Sequence, residues 1–80
     1  MNIIEFVSML VENLVSEPDL VKVKDFETGE GKVIEVLVSE NDITKIVGKN
    51  GNILKALKTI INVKAYELGL NNVRVNFDSF

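Results

Sequence analysis

Eighty residues, 46% of them apolar, suffice for one compact domain and are too few for two, so we expect a single domain over residues 1–80. The chain has no cysteine and no histidine, which excludes disulfides and thiolate metal sites and removes the commonest metal ligand and general base. We therefore expect no metal, no cofactor and no enzymatic activity, and the net charge of −3 by itself disfavours a phosphate-rich partner.

The first predicted element is a helix over about residues 3–15. Asn2 and Glu5 have the spacing of a capping box, and apolar residues recur at helical intervals: Ile3, Phe6, Val7, Leu10, Val11 and Leu14. Pro18 prevents the helix from continuing. No apolar run approaches the roughly 18 residues that cross a bilayer, and the N-terminus lacks the features of a signal peptide. We expect no membrane insertion and a cytoplasmic location.

Two strands are predicted next. The segment Leu20–Lys24 alternates between apolar and charged residues, which is typical of a half-exposed strand. Thr28–Gly31 then reverses the chain. Val33–Val38 is a nearly continuous apolar run, interrupted only by Glu35, and this pattern predicts a central strand with a neighbour on each side.

The second half predicts two helices and a last strand. Ser39–Asp42 offers cap candidates and first-turn acids for a short helix that is cut off at Gly48. A longer helix over about residues 52–68 ends at Gly69, and Val73–Phe77 alternates like a half-buried strand. The tight turn makes the first two strands antiparallel, whereas the two helices permit a crossover to a parallel third strand. We predict an α+β fold with a mixed three-stranded sheet and three helices on one face.

The basic charge of the chain is segregated. The segment Ile43–Tyr66 contains five lysines and no acidic residue, while the remaining residues carry four basic side chains against twelve carboxylates, a net charge of −8. Lysines on a helix are often ordinary solvated charge, but these lysines surround a glycine-rich loop. A local phosphate-binding surface is therefore compatible with an acidic chain.

The loop is Gly48-Lys49-Asn50-Gly51, placed between the two predicted helices. Such a tetrapeptide has two interpretations. The glycines either tolerate positive φ in a simple helix-to-helix turn, or they let a phosphodiester backbone approach the free N–H groups at the start of the following helix.

The segment Ile46–Leu54 around this loop resembles the signature of KH domains, and the element order resembles their type II form. The length and the segments Ser16–Asp19 and Lys55–Lys58 are further similar to KhpA, a family of small bacterial single-KH-domain proteins. The resemblance implies single-stranded RNA binding without catalysis, as an RNA chaperone or small-RNA binder. It also implies pairing with itself or with the larger KH protein KhpB. Asn52 departs from the family pattern, which often has arginine at this position.

Carried onto this sequence, the resemblance assigns the RNA contacts to Lys45, Val47, Gly48, Lys49, Asn50, Gly51, Asn52, Lys55 and Lys58. The lysines would supply charge, and Val47 with Val36 or Leu37 would form an apolar floor for bases, although core packing explains those three side chains equally well. No aromatic residue lies near the loop, so we expect little stacking and weak sequence preference.

The alternative function is a protein-interaction module with little RNA affinity, because the resemblance implies a KH fold, which can lose RNA binding, and the pI of the chain is only about 4.8. A separate prediction, that of a dimer, rests on the last helix. At about 100° per residue its apolar residues cover a wider arc than a sheet needs. Leu54, Leu57, Ile61, Ala65 and Leu68 form the predicted core side. The excess consists of Ile53, Ala56, Ile60 and Val63, which either are covered by another helix or form a dimer interface.

Overall fold

The computed structural model describes residues 1–80 and confirms the predicted α+β architecture. In chain order the elements are α1 (Ile3–Glu12), a 3₁₀ turn (Pro18–Leu20), β1 (Lys22–Thr28), β2 (Gly31–Val38), α2 (Ile43–Val47), a second 3₁₀ turn (Lys49–Gly51), α3 (Asn52–Glu67) and β3 (Val73–Ser79). None of these helices is long and apolar enough to cross a membrane.

The sheet has the order β1-β2-β3, so β2 is the central strand as predicted. β1 pairs with β2 antiparallel and β3 pairs with β2 parallel. Alternate residues of β2 are fully buried against the helices: Ile34, Val36 and Val38. The core forms between this face of the sheet and the three helices, where α1 contributes Ile3, Val7 and Val11.

The N-terminal boundaries differ from the prediction. The capping box is confirmed, because the Asn2 side chain accepts from the Glu5 N–H at 2.8 Å and the Asn2 N–H donates to Glu5 Oε1 at 3.1 Å. However, α1 ends at Glu12, since the Asn13 side-chain amide donates to the Met9 carbonyl and begins a turn.

β1 lies further along the chain than the predicted Leu20–Lys24, because Leu20 belongs to the 3₁₀ turn that begins at Pro18. At its other end the short turn allows pairing to continue until Thr28 faces Gly31. The strand therefore starts two residues later and ends four residues later than the alternating pattern indicated.

α3 ends with a turn that also corrects one predicted core residue. Gly69 adopts φ 77°, its N–H donates to the Tyr66 carbonyl, and the Leu70 N–H donates to the Ala65 carbonyl at 2.9 Å. These are the two hydrogen bonds of a Schellman motif. The motif turns Leu70 toward the core and leaves Leu68, predicted on the core side, 41% exposed.

Candidate nucleic-acid interface

Asp42 holds the start of α2 in place, and its carboxylate is fully buried. Its Oδ1 accepts from the backbone N–H and the hydroxyl of Ser16 at 2.9 and 2.7 Å, and its Oδ2 accepts from the Glu17 N–H and the Ser39 hydroxyl, both at 3.0 Å. The hydrogen bond from the Ser16 N–H has the largest effect and, together with the others, holds the pKa of Asp42 well below its usual range. Burial alone would raise this pKa, but the hydrogen bonds outweigh it. They tie the α1–β1 connection to the β2–α2 junction and so fix how α2 enters the loop.

The prediction that a residue of Ser39–Asp42 caps α2 is confirmed for the position of Asp42, although its side chain makes no capping hydrogen bond. Asp42 occupies the N-cap position, but only its backbone carbonyl accepts from the helix, from the N–H groups of Lys45 and Ile46. No acidic residue lies in the first turn of α2, and Glu40 is exposed. The Ser16 partner lies 26 residues away in the sequence, so no local pattern identifies this contact.

The loop after α2 contains three residues with positive φ. Gly48 has φ 73° and ψ −176°, and Gly51 has φ 73° and ψ 16°. Asn50 lies between them with φ 57° and ψ 25°, a left-handed conformation that asparagine tolerates better than most residues. Lys49 and Asn50 are exposed at the tip.

The two glycines are required for different reasons. A Cβ atom at Gly48 would overlap Cγ1 of Ile53, and the φ and ψ of Gly48 belong to a region that is essentially restricted to glycine. A Cβ atom at Gly51 would meet nothing within 4 Å. Gly48 thus allows the loop backbone to pack directly against the first turn of α3, whereas Gly51 leaves open space in front of the loop.

This open space adjoins the positive end of α3. Gly51 is the N-cap residue, and no side chain caps α3. The Asn52 N–H donates to the Lys49 carbonyl, so the donors left for a ligand are the N–H groups that follow Asn52 in the first turn. Asn52 is the first residue of the helix and is exposed. A small or flexible anionic group can therefore approach backbone donors here without displacing protein atoms.

The four predicted lysines differ in how free their charges are. The Nζ of Lys45 lies 3.5 Å from Asp42 Oδ1, so its charge is partly compensated within the protein. Lys49, Lys55 and Lys58 have no carboxylate within ion-pair distance. Lys49 lies in the loop, and the other two lie on one side of α3, three residues apart.

The proposed apolar floor is reduced to fewer residues. Val36 is fully buried against the helices, so core packing accounts for it, and Leu37 points to the opposite, helix-free face of the sheet. Val47 is half-buried in the last turn of α2, immediately before Gly48. Of the three candidates, Val47 alone lies beside the loop.

The excess apolar residues of α3 are exposed. Ile53, Ile60 and Val63 are 41%, 44% and 57% exposed, and Ala56 beside them is exposed as well. The alternative that α1 or α2 covers these residues is therefore wrong for this chain taken alone. Leu57, Ile61 and Ala65 are buried on the sheet side, as predicted.

Known proteins resemble the chain over nearly its whole length. Residues 4–77 match a family model described as KhpA/KhpB, KH domain. The RNA-binding protein KhpA of Chlamydia pneumoniae is 35% identical over 74 residues, which cover 92% of this chain and 91% of that protein. The RNA-binding protein KhpA of Streptomyces coelicolor is 35% identical over 72 residues, covering 90% and 86%.

One solved structure is also similar. Era from Aquifex aeolicus, bound to GDP and AlF4⁻, superimposes with a TM-score of 0.65 and 27% identity. The match covers 96% of this chain and 29% of Era, so it concerns the fold of one part of that longer protein.

Replacing Asp42 by Asn should lower the melting temperature at neutral pH by at least about 5 °C, because an amide cannot accept all of the hydrogen bonds that the carboxylate accepts. Since folding depresses the pKa of Asp42, its contribution is complete above the ordinary pKa of about 4 and is lost as the pH falls further. The difference in melting temperature between wild type and variant should therefore shrink below about pH 4, as measured in thermal melts followed by circular dichroism. Asp19→Asn, at an exposed carboxylate, is the control. A difference that is independent of pH would contradict the proposed ionisation.

The two loop glycines should respond differently to alanine. Gly48→Ala should lower the free energy of unfolding by about 2–5 kcal/mol, through backbone strain and the clash with Ile53. Gly51→Ala should cost about 1–2 kcal/mol, because only the left-handed backbone is disfavoured. Urea unfolding measures both, with Gly29→Ala as a control near zero, since nothing lies within 4 Å of its Cβ position. Equal losses at the two loop positions would show that the Ile53 contact is unimportant.

Proposed function

Because the chain belongs to the KhpA/KhpB family of KH domains, we propose that it binds single-stranded RNA through the Gly48–Gly51 loop. The observation that carries the proposal is the open space in front of Gly51, bordered by the start of α3 and by a lysine without an ion pair. We propose that residues 1–80 act as one KH domain, without catalysis, in the cytoplasm, as an RNA chaperone or small-RNA binder.

In this proposal the RNA backbone passes over the loop. A phosphate enters the space in front of Gly51 and accepts hydrogen bonds from the N–H groups that follow Asn52 in the first turn of α3, while Lys49 approaches from the loop tip. KH domains hold about four nucleotides in this way. Lys55 and Lys58 lie along the same helix and extend the positive surface for neighbouring phosphates.

The side chains beside the loop predict weak discrimination among bases. Val47 offers a small apolar contact, and the backbone donors and lysines recognise phosphates, which are the same in every sequence. The most exposed aromatic side chain, Tyr66, is 84% exposed near the far end of α3. We therefore expect no strong stacking of bases on aromatic side chains at the loop.

The direct test replaces Lys49 and Asn50 together by Asp, which places two carboxylates where phosphates must pass. Affinity for a short single-stranded RNA should fall at least about tenfold, measured by fluorescence anisotropy. The far-ultraviolet circular dichroism spectrum should not change, because both side chains are exposed at the loop tip.

The control for that test is Lys24→Asp combined with Asn76→Asp. Both of these residues are exposed and flank Glu35 on the helix-free face of the sheet, and the change in net charge is the same. The control should lose little affinity. Unaltered RNA affinity in the folded loop variant, or an equal loss in both variants, would refute the assignment.

Salt dependence separates RNA binding from the second candidate, a protein-interaction module with little RNA affinity. Lys55→Ala should lower the slope of log affinity against log salt by roughly 0.7, the value for one phosphate contact on a single strand. Lys24→Ala is the control and should leave the slope unchanged. Lys24 is exposed on the helix-free face of the sheet and makes no ion pair. RNA affinity that is independent of salt would favour the interaction module.

The exposed apolar flank of α3 supports a partner in addition to RNA. We propose that Ile53, Ala56, Ile60 and Val63 form a dimer interface, either between two copies of this chain or with a KhpB-like protein. In a homodimer the two helices would cross antiparallel about a two-fold axis near Ile60, each supplying the same residues.

Ile60→Asp should convert the homodimer into a folded monomer, because the dimer would bury an unpaired carboxylate. Sedimentation velocity at micromolar concentration measures this change. Asn62→Asp, on the opposite side of α3 and also exposed, should remain dimeric. A wild-type protein that is already monomeric at this concentration would exclude the homodimer.

A further inference from the structure

The loop contains the dipeptide Asn50-Gly51, in which the asparagine side-chain amide can react with the backbone nitrogen of the glycine. The chain has nine asparagines, and Asn50 is the only one followed by glycine. An asparagine side-chain amide is attacked most easily by the next backbone nitrogen when the following residue has no Cβ atom to obstruct the ring that forms. Asn50-Gly51 is therefore the position of this chain where such an attack meets the least steric resistance.

The structure leaves this dipeptide unprotected. Asn50 is exposed, and its side-chain amide takes part in no hydrogen bond. The Gly51 N–H makes only a long hydrogen bond of 3.4 Å to the Gly48 carbonyl. Because nothing lies within 4 Å of the Cβ position of Gly51, no packed side chain covers the Gly51 backbone on that side.

We propose that Asn50 is a site of spontaneous deamidation that changes the charge of the loop. The Gly51 nitrogen loses its proton to water or hydroxide and forms a bond to Cγ of Asn50, the Cγ–Nδ2 bond breaks, and Nδ2 leaves as ammonia with a proton from the solvent. Water then opens the cyclic imide at either carbonyl, which produces aspartate or isoaspartate. No oxidant, reductant or enzyme takes part in these steps.

The consequence rests on the proposed function. Either product puts a carboxylate at the loop tip beside Lys49, in a segment that otherwise contains no acidic residue between Ile43 and Tyr66. The net charge of the chain changes from −3 to −4, at the position where phosphates are proposed to pass. RNA affinity should fall roughly three- to tenfold in the modified molecules, because one new negative charge repels the backbone.

The experiment incubates the intact protein for days at about pH 8 and at about pH 6, then maps peptides by mass spectrometry and measures affinity for a single-stranded RNA oligonucleotide. We expect a gain of about 1 Da at Asn50, ahead of the other eight asparagines and faster at the higher pH, because ring closure requires loss of the Gly51 proton. RNA affinity should decline in parallel. Asn50→Asp, which equals one of the products, should have the lower affinity before any incubation.

Asn50→Gly is the matched control, since glycine accommodates the left-handed φ of this position and has no amide to lose. Its mass and its RNA affinity, whatever the starting value, should stay constant during incubation. An Asn50 that persists in the folded protein while it is modified in urea would overturn the proposed site, because the fold would then protect it. Modification without loss of RNA affinity would overturn the functional consequence and the loop assignment, but not the chemistry.

Discussion

The packing of Leu57, Ile61 and Ala65 against the sheet sets the rotation of α3 about its own axis, and the outer surfaces of the molecule follow from that rotation. Once these three residues face the core, Ile60 and its apolar neighbours must lie on one exposed flank of the helix, and Lys55 must lie on another. Lys55, a candidate RNA contact, thus lies on a different flank of α3 from Ile60, a candidate protein contact, whereas Ile53 lies beside the loop at Gly48.

The loop is anchored on both sides by tertiary contacts. On the α2 side, the buried carboxylate of Asp42 would be costly without partners, and its four short hydrogen bonds offset that cost while joining two distant connections of the chain. On the α3 side, Gly48 lies against Ile53 so closely that no side chain fits. Only the residues between these anchors project into solvent. The two ends of the loop are therefore held in place, while its tip is exposed.

The openness of that tip has two consequences. Lack of a Cβ atom at Gly51 and lack of a hydrogen-bond partner for the Asn50 amide leave room for a phosphodiester backbone. The same two features leave the Asn50 amide within reach of chemical attack by its own chain. Lys49 is the only charged side chain of the Gly48–Gly51 loop, so a single new carboxylate at the tip would cancel its positive charge.

The sequence by itself determined the number, type and order of the helices and strands, the antiparallel and parallel pairings, the central position of β2 and the excess of apolar residues on α3 over those that face the sheet. These properties depend on periodicity, on glycine and proline, and on short connections, all of which act between near neighbours. Only the tertiary structure decided that the apolar excess of α3 is exposed, and it alone decided the role of Asp42, the burial of Val36, the exposure of Leu68 and the different reasons for the two loop glycines. Each of these depends on atoms brought together by the folded chain, as when the β1–β2 hairpin returns Asp42 to Ser16, and no spacing in the sequence encodes such a distance.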